Sequence, residues 1–402
     1  MTGERFGLLL GADSLLGRRS GVGRMTLQIA RTLRDHPAIG ALSLIAGSRV
    51  ETAEWLDTLG DEHEALTPSG RASLASGLQA RIAGVPGLAR LRSVSVRRRM
   101  NEAAKALGHQ VGGPVVYHET NMIARPFDGV SVVTVNDLSF RFSDSMHPPD
   151  RVAWIERRLP ASLAQATRLV AISEFTAREM VAHLRVERQR IDVVPLAPSE
   201  VFRPIPRDEA APALAARGLT SGGFVLSVST LEPRKNFDRL LAAHARLPGS
   251  LRARFPLVIA GGRGWGEALA GTEAERAVRA GTLRLLGHVS DRELAALYSS
   301  CAVFAYPSLH EGFGLPVIEA MASGAPVVAS GTTATGETAG DAALLIDPFS
   351  ESEIAGALAR TIEDAALAAR LRQSGFARAG AFTWPRTVEA LLATWRKALS
   401  RA

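Results

Sequence analysis

Short apolar runs alternate with longer stretches of helical spacing along nearly the whole chain. In the first half the runs are Arg5–Leu10, Ala41–Ile45, Val115–Tyr117, Ser131–Val135, Arg168–Ile172 and Asp192–Val194. In the second they are Phe224–Val228, Pro256–Ala260, Leu283–Leu285, Ala302–Tyr306, Pro326–Ala329 and Ala343–Ile346. Between them, Met25–Leu33, Arg239–Leu247 and Arg292–Tyr298 place apolar residues three and four apart. This alternation predicts an α/β protein with parallel sheets and crossover helices. Pro195, Pro198, Pro204 and Pro206 interrupt the pattern, since proline neither continues a helix nor serves a central strand. The boundary is therefore expected near residue 200, with domains 1–200 and 201–384. A last amphipathic segment, 385–402, begins at Pro385 and is expected to return to the first domain. Two Rossmann-like sheets that face each other would leave a deep cleft at the carboxyl ends of their strands, where such sheets bind ligands.

The 402 residues include 46% hydrophobic and 5% aromatic side chains, a globular composition. One cysteine, Cys301, excludes an internal disulfide and fits a reducing compartment. No apolar run reaches the length of a membrane span. The apolar stretch Phe6–Ala12 leads straight into Asp13 and reads as a buried first strand, not a leader peptide. A cytoplasmic protein is expected. The net charge of +7 comes almost wholly from arginine, because lysine occurs only at Lys105, Lys235 and Lys397.

One segment concentrates that charge. Between Arg71 and Lys105 stand Arg71, Arg81, Arg90, Arg92, Arg97, Arg98, Arg99 and Lys105, against the single acid Glu102. Interleaved apolar residues make it a candidate for an anionic membrane surface, and so for peripheral attachment. The other reading is a solvated helix whose apolar side covers the first domain. Nucleic acid is disfavoured as a partner, since the segment has no aromatic stacking set and no recognised module.

The densest chemistry lies in Tyr306–Gly324 (YPSLHEGFGLPVIEAMASG). It follows an apolar run, so it starts at a strand end. Gly312 and Gly314 permit positive φ and close ligand approach. Pro316 suits the first turn of a helix and Gly324 its C-terminal cap. Glu311 in the loop and Glu319 on the helix are acceptors for sugar hydroxyls. A second cluster, Ser229–Asn236 (STLEPRKN), sets Arg234 and Lys235 between strand and helix, where a diphosphate would be neutralised. Weaker candidates follow other strands: Gly21 and Gly23 in the loop Ser20–Gly23, Gly262 in Gly261–Gly264, His118, and the pair Asn136 and Asp137. Ser290–Glu293 reads as a helix capping box with a structural role alone. No cluster has metal-ligand spacing.

Together these residues resemble glycosyltransferase family 4, the retaining, GT-B-fold transferases also called group 1. The carriers are Thr230–Asn236, Leu286–Asp291, Tyr306–Ser308, Glu311–Glu319 and Gly340–Ala343, and the likeness covers nearly the whole chain. Val133–Ser139 and Ile172–Thr176 look like the mannosyltransferases of surface-polysaccharide and O-antigen assembly. By that resemblance Glu319 would bind the donor ribose and Glu311 the transferred sugar. The backbone of Gly312, Phe313, Gly314 and Leu315 would hold sugar and phosphate oxygens, Lys235 with Arg234 the leaving diphosphate, and Gly287, His288 and Val289 the base. Gly21–Gly23 would close over the diphosphate or acceptor from the opposite domain.

The implied activity is metal-independent hexosyl transfer from a nucleotide-sugar, GDP-mannose first and UDP- or dTDP-hexoses behind it, to a polysaccharide or lipid-linked glycan. No cofactor is expected beyond that donor substrate. Three positions depart from the family pattern. Asn136 stands where histidine is common, Thr230 where arginine is usual, and Gly336-Glu337 where Pro-Glu is usual, which is expected to loosen that loop. The departures leave a second reading open, a non-catalytic partner subunit that binds nucleotide-sugar.

Overall fold

The computed structural model describes residues 5–17, 21–59, 86–142 and 146–401. Among them, β1 (Phe6–Gly11), β2 (Ile39–Ala46), β3 (Arg49–Thr52), β4 (Val115–Glu119), β5 (Ser131–Val135), β6 (Arg168–Ala171) and β7 (Ile191–Val193) form one sheet. Its spatial order is β3-β2-β1-β4-β5-β6-β7. A second sheet contains β8 (Val225–Val228), β9 (Leu257–Ala260), β10 (Leu283–Gly287), β11 (Val303–Tyr306), β12 (Val327–Ser330) and β13 (Leu344–Ile346), ordered β10-β9-β8-β11-β12-β13.

Each predicted apolar run became a strand, because a parallel strand covered on both faces must be apolar throughout. All residues of β1, β5, β8 and β11 are buried. The pattern missed β3. That strand pairs antiparallel with β2 at the sheet edge, with Ser43 opposite Thr52. Its residues are mostly exposed and include one apolar side chain, Val50, so no hydrophobic signal marks it.

The helices of the first half are α1 (Gly21–Arg34), α2 (Pro86–Val111), α3 (Pro149–Gln165) and α4 (Glu174–Leu184). Those of the second are α5 (Arg207–Ala215), α6 (Phe237–Ala245), α7 (Gly249–Arg254), α8 (Thr272–Arg279), α9 (Asp291–Ser300), α10 (Leu315–Ala322), α11 (Ala334–Ala339), α12 (Glu351–Glu363), α13 (Ala365–Ala379) and α14 (Trp384–Leu399). In both sheets the chain starts centrally, winds to one edge, returns and winds to the other. The reversals fall between β1 and β4 and between β8 and β11, which is where a crevice opens.

The helix α14 lies on the first sheet. Trp395 is fully buried, edge-on to Phe6 at 6.1 Å and to His118 at 5.5 Å. Thr387 Oγ1 donates to the Pro195 carbonyl (2.8 Å), and Trp384 Nε1 to that of Pro198 (3.0 Å). The linker between the halves is thus clamped by the last helix.

The halves also meet directly. Ser173 Oγ and Thr176 Oγ1 donate to the Gly312 carbonyl at 2.7 and 3.2 Å. The Glu337 carboxylate accepts from the backbone N–H groups of Glu174 (2.8 Å) and Phe175 (2.7 Å), the first turn of α4. This corrects the expectation of a loosened loop. Gly336 N–H donates to the Thr333 carbonyl at 3.0 Å, and Glu337 is fixed as a cap for a helix of the other half.

Of the basic segment, residues 71–85 lie outside the described residues. On α2, Arg97 pairs with Asp128 at 3.1 Å and Arg98 with Glu102 at 2.7 Å. Arg99 Nη1 donates to the Ser48 carbonyl at 3.1 Å. Val94, 64% exposed, stands beside Arg97, Arg98 and Lys105 along a shallow surface depression.

Candidate functional site

Two loops at the switch point of the second sheet build the centre. After β8, Asn236 adopts φ 62°, an uncommon left-handed conformation that its amide secures by donating to the carbonyls of Pro307 (3.0 Å) and Pro348 (2.7 Å). This turn directs Arg234 and Lys235 toward the loop after β11. Lys235 Nζ lies 2.5 Å from Glu311 Oε1 and 3.0 Å from the Tyr306 hydroxyl. Arg234 Nη1 is 3.2 Å from Glu311 Oε2, and its Nε is 2.9 Å from Glu232 Oε2. Tyr306 and Ser308 hydroxyls also donate to Glu311 Oε1, at 2.8 and 2.7 Å.

Burial opposes ionisation of Glu311, but Lys235 and Arg234 outweigh it and hold its carboxyl down at about 2. Burial and the neighbouring Arg234 lower the Lys235 ammonium. The centre is therefore a buried carboxylate between two cations, of which Lys235 is buried and Arg234 partly so.

From Glu311 the chain enters α10 through Gly314, whose φ of 92° only glycine adopts without strain. A Cβ there would also stand 2.7 Å from Thr335 Cγ2. The Phe313 ring turns away and packs edge-on against Phe382 at 5.6 Å, while its carbonyl accepts from Thr338 Oγ1 at 2.6 Å. Leu315 and Glu319 line a cavity of about 430 Å³ between the halves, together with Arg24, Gln28, Ser199 and Asp291. Glu319 is buried, which raises its carboxyl above the usual range against the pull of Arg24.

The first half closes on this centre at Asn136 and Asp137. Gly312 abuts the Asn136 carbonyl and the Asp137 Cβ so closely that no side chain fits between. The Asn136 amide donates to the Thr120 carbonyl at 3.0 Å, joining the segments that follow β5 and β4. Asp137 accepts from Ser139 N–H (3.0 Å) and Oγ (2.7 Å). Burial opposes its ionisation, but Arg234, Ser139 and His310 hold its carboxyl below the usual range.

Other expected residues are placed differently. His118 does not line the crevice. It is fully buried in β4, bonded through Nε2 to Thr134 Oγ1 at 2.8 Å, and burial pushes it down to about 3, so it is a neutral core imidazole. Its position near a strand end suggested the crevice, but α14 covers that face. Val289 is buried in the core, while His288 beside it is exposed. The Gly262 carbonyl accepts from Leu231 N–H at 2.9 Å and ties its loop to that of Arg234. Gly21 and Gly23 open α1, and Gly23 is buried. Residue 20 of that loop lies outside the described residues.

Sequence reasoning missed Arg24, His147 and the imidazole of His310. Arg24 reaches Glu319 and Asp291 from the opposite half. The capping box of Ser290 and Glu293 is formed, yet Asp291 within it also faces the crevice. His310 stacks on Phe142 at 4.8 Å and bonds Glu179 across the halves at 2.8 Å. His147 bonds Ser139 Oγ at 2.7 Å and lies 5.2 Å from the Trp265 ring. Only through-space proximity brings these side chains together, so no spacing in the chain announces them.

Comparison with known proteins agrees with this geometry. Residues 219–378 match the family described as Glycosyl transferases group 1. The O-antigen chain mannosyltransferase B of Escherichia coli is 36% identical over 269 residues, 67% of this chain and 71% of that protein. A serotype-specific mannosyltransferase of E. coli, WbdA, is 30% identical over 236 residues. That match spans 56% of this chain but only 28% of WbdA. Among solved structures, the Anabaena protein HepE in complex with UDP and glucose superposes with a TM-score of 0.65 at 16% identity. The superposition covers 98% of this chain and all of HepE. The fold is GT-B, two Rossmann-like domains facing across a cleft.

Proposed function

This chain belongs to the group 1 glycosyl transferases, and on that premise we propose that it moves mannose from GDP-mannose onto a polysaccharide or lipid-linked glycan, with retention and without a metal ion. The observation that carries the reading is the cluster of Lys235, Arg234 and Glu311 at the second switch point, with Glu319 on the adjoining helix. The mannosyl donor rests on the names of the relatives; UDP- and dTDP-hexoses follow it.

In the reaction the bond from the sugar C1 to the diphosphate oxygen breaks, and positive charge builds on the ring while negative charge builds on the leaving group. Lys235 and Arg234 stabilise that leaving diphosphate. Glu311 neutralises both. An arriving diphosphate replaces it as their counter-charge and releases the carboxylate to accept hydroxyls of the transferred sugar. The acceptor hydroxyl attacks C1 from the face the diphosphate leaves, and its proton passes to the departing phosphate oxygen. Retention follows, with Glu311 positioning the sugar and forming no bond to it. The two cations supply the charge a metal would otherwise bring.

No helix among the described residues is long and apolar enough to cross a membrane. A lipid-linked acceptor would be met at the cytoplasmic membrane face, with the basic stretch 71–105 against anionic headgroups. A thermal-shift panel of GDP, UDP and dTDP tests the donor class. Selective stabilisation by GDP is expected. Selective stabilisation by UDP would move the donor to a UDP-hexose, and no response to any of the three would remove the nucleotide-sugar reading.

A further inference from the structure

Arg24 stands in the first turns of α1, and its guanidinium crosses the cleft to the other half. Nη1 lies 3.2 Å from Asp291 Oδ1 and 3.6 Å from Glu319 Oε1. Its Nε is buried and has no hydrogen-bond partner. Glu319 is 3% exposed, and its second oxygen has the Tyr298 hydroxyl at 3.4 Å. A carboxylate so withdrawn from water needs a counter-charge, and Arg24 supplies it.

The cavity beside this pair is about 430 Å³, within the range of small-ligand sites and roomy enough for a nucleoside. Arg24 and Glu319 both line it. Glu319 is the group assigned above to the donor ribose, so the argument rests on that reading. Two neutral hydroxyls arriving at Glu319 would strip the guanidinium of an ion partner and return no charge to it. A nucleoside diphosphate brings its own anion. Arg24 lies three residues from the start of α1, roughly 4.5 Å along the helix axis, and its long side chain spans that distance. A guanidinium with unused donors suits phosphate oxygens, which it can take in a bidentate fork.

We propose that Arg24 is an exchange residue: it holds Glu319 until the donor arrives, yields that carboxylate to the donor ribose, and moves its guanidinium onto the diphosphate. The device makes the cleft select against nucleosides that lack phosphate. It also couples the two halves, since the same side chain reports whether the carboxylate of the other domain is occupied.

Calorimetric titration of wild type, Arg24→Met and Arg24→Lys with guanosine and GDP tests this, with uridine and UDP as a second pair. In Arg24→Met the nucleoside binds about threefold to tenfold tighter than in wild type, and the diphosphate about tenfold or more weaker. The preference for diphosphate over nucleoside therefore collapses from both sides. Arg24→Lys keeps the charge without the fork and falls between; it carries the test alone if the methionine variant shows no cooperative melt. Parallel weakening of nucleoside and diphosphate would mean that Arg24 only shapes the pocket, and unchanged affinities would make it a bystander; either result overturns the exchange while leaving the donor reading intact. Wild type that binds none of the four compounds would overturn the donor reading itself, and the exchange with it.

Discussion

Gly312 lies against the backbone of Asn136, and a Cβ at Gly312 would overlap the Asn136 carbonyl oxygen. The loop that carries Glu311 is thereby seated directly on the strand end of the opposite domain. Gly312→Ala is expected to push the halves apart at the reacting centre. Turnover should fall about 100-fold, as misplacement of roughly an ångström does, with a far smaller change in nucleotide affinity. Steady-state kinetics beside nucleotide titration measure both, and an alanine variant with normal turnover would show that the domains do not work in this closed arrangement.

Lys235 is 7% exposed and bonded to Glu311, and once the lysine is gone Arg234, at 3.2 Å, remains as a cation on that carboxylate. Lys235→Ala should reduce turnover by about 100- to 1,000-fold, the size typical of a lost group that stabilises developing charge. The fold should persist, because Arg234 still pairs Glu311. Near-normal turnover in the variant refutes the assignment. In the same assay, EDTA is expected to leave the wild-type rate unchanged, and a rate restored only by added divalent cation would reassign the charge-neutralising role.

Glu119 ends β4 beneath Gly11, accepts from the Tyr117 hydroxyl at 2.7 Å, and has Arg125 Nη1 at 3.7 Å. Burial pushes its carboxyl up to about 7 from the usual 4.5, against the help of Tyr117 and Arg125. A carboxyl raised in the folded state opposes folding once it ionises. The cost is absent below pH 4.5 and reaches full size as pH rises through about 7. Glu119→Gln keeps an acceptor for Tyr117 and removes the ionisation. Its melting temperature relative to wild type should therefore climb between pH 5 and pH 8. A difference that stays constant across that interval would place the Glu119 carboxyl at an ordinary value.

Trp395 is fully buried between α14 and the first sheet, in edge contact with Phe6 and His118. Trp395→Ala should cost about 3–5 kcal/mol by lost burial and cavity formation. Because α14 also clamps the linker through Trp384 and Thr387, unfolding should remain a single transition in wild type and become broader or split in the variant. Denaturant unfolding followed by tryptophan fluorescence and circular dichroism reads both, and a loss under 1 kcal/mol would argue that the last helix is loosely attached.

The strands were legible because burial on both faces forces an unbroken apolar run, and that constraint is local. Glu311 and Glu319 were legible for a similar reason. They flank a glycine-rich strand-to-helix turn whose conformational demands are written in Gly312, Gly314 and Pro316. His118 carried the same positional signal as Asn136, following an apolar run, and only the packing of α14 separates them. The edge strand β3 escaped because an exposed pair of hydrogen-bonded backbones needs no apolar side chain.

By itself the chain determined the two sheets, the break between them and the loops that carry the cations and carboxylates, since each depends on residues within a few positions of one another. Tertiary structure alone decided which charges meet. Arg24 and Asp291 are separated by 267 residues and pair at 3.2 Å. A Coulombic contact depends on the distance between groups in space, and that distance is set by how the two sheets face each other and by no feature of the intervening sequence.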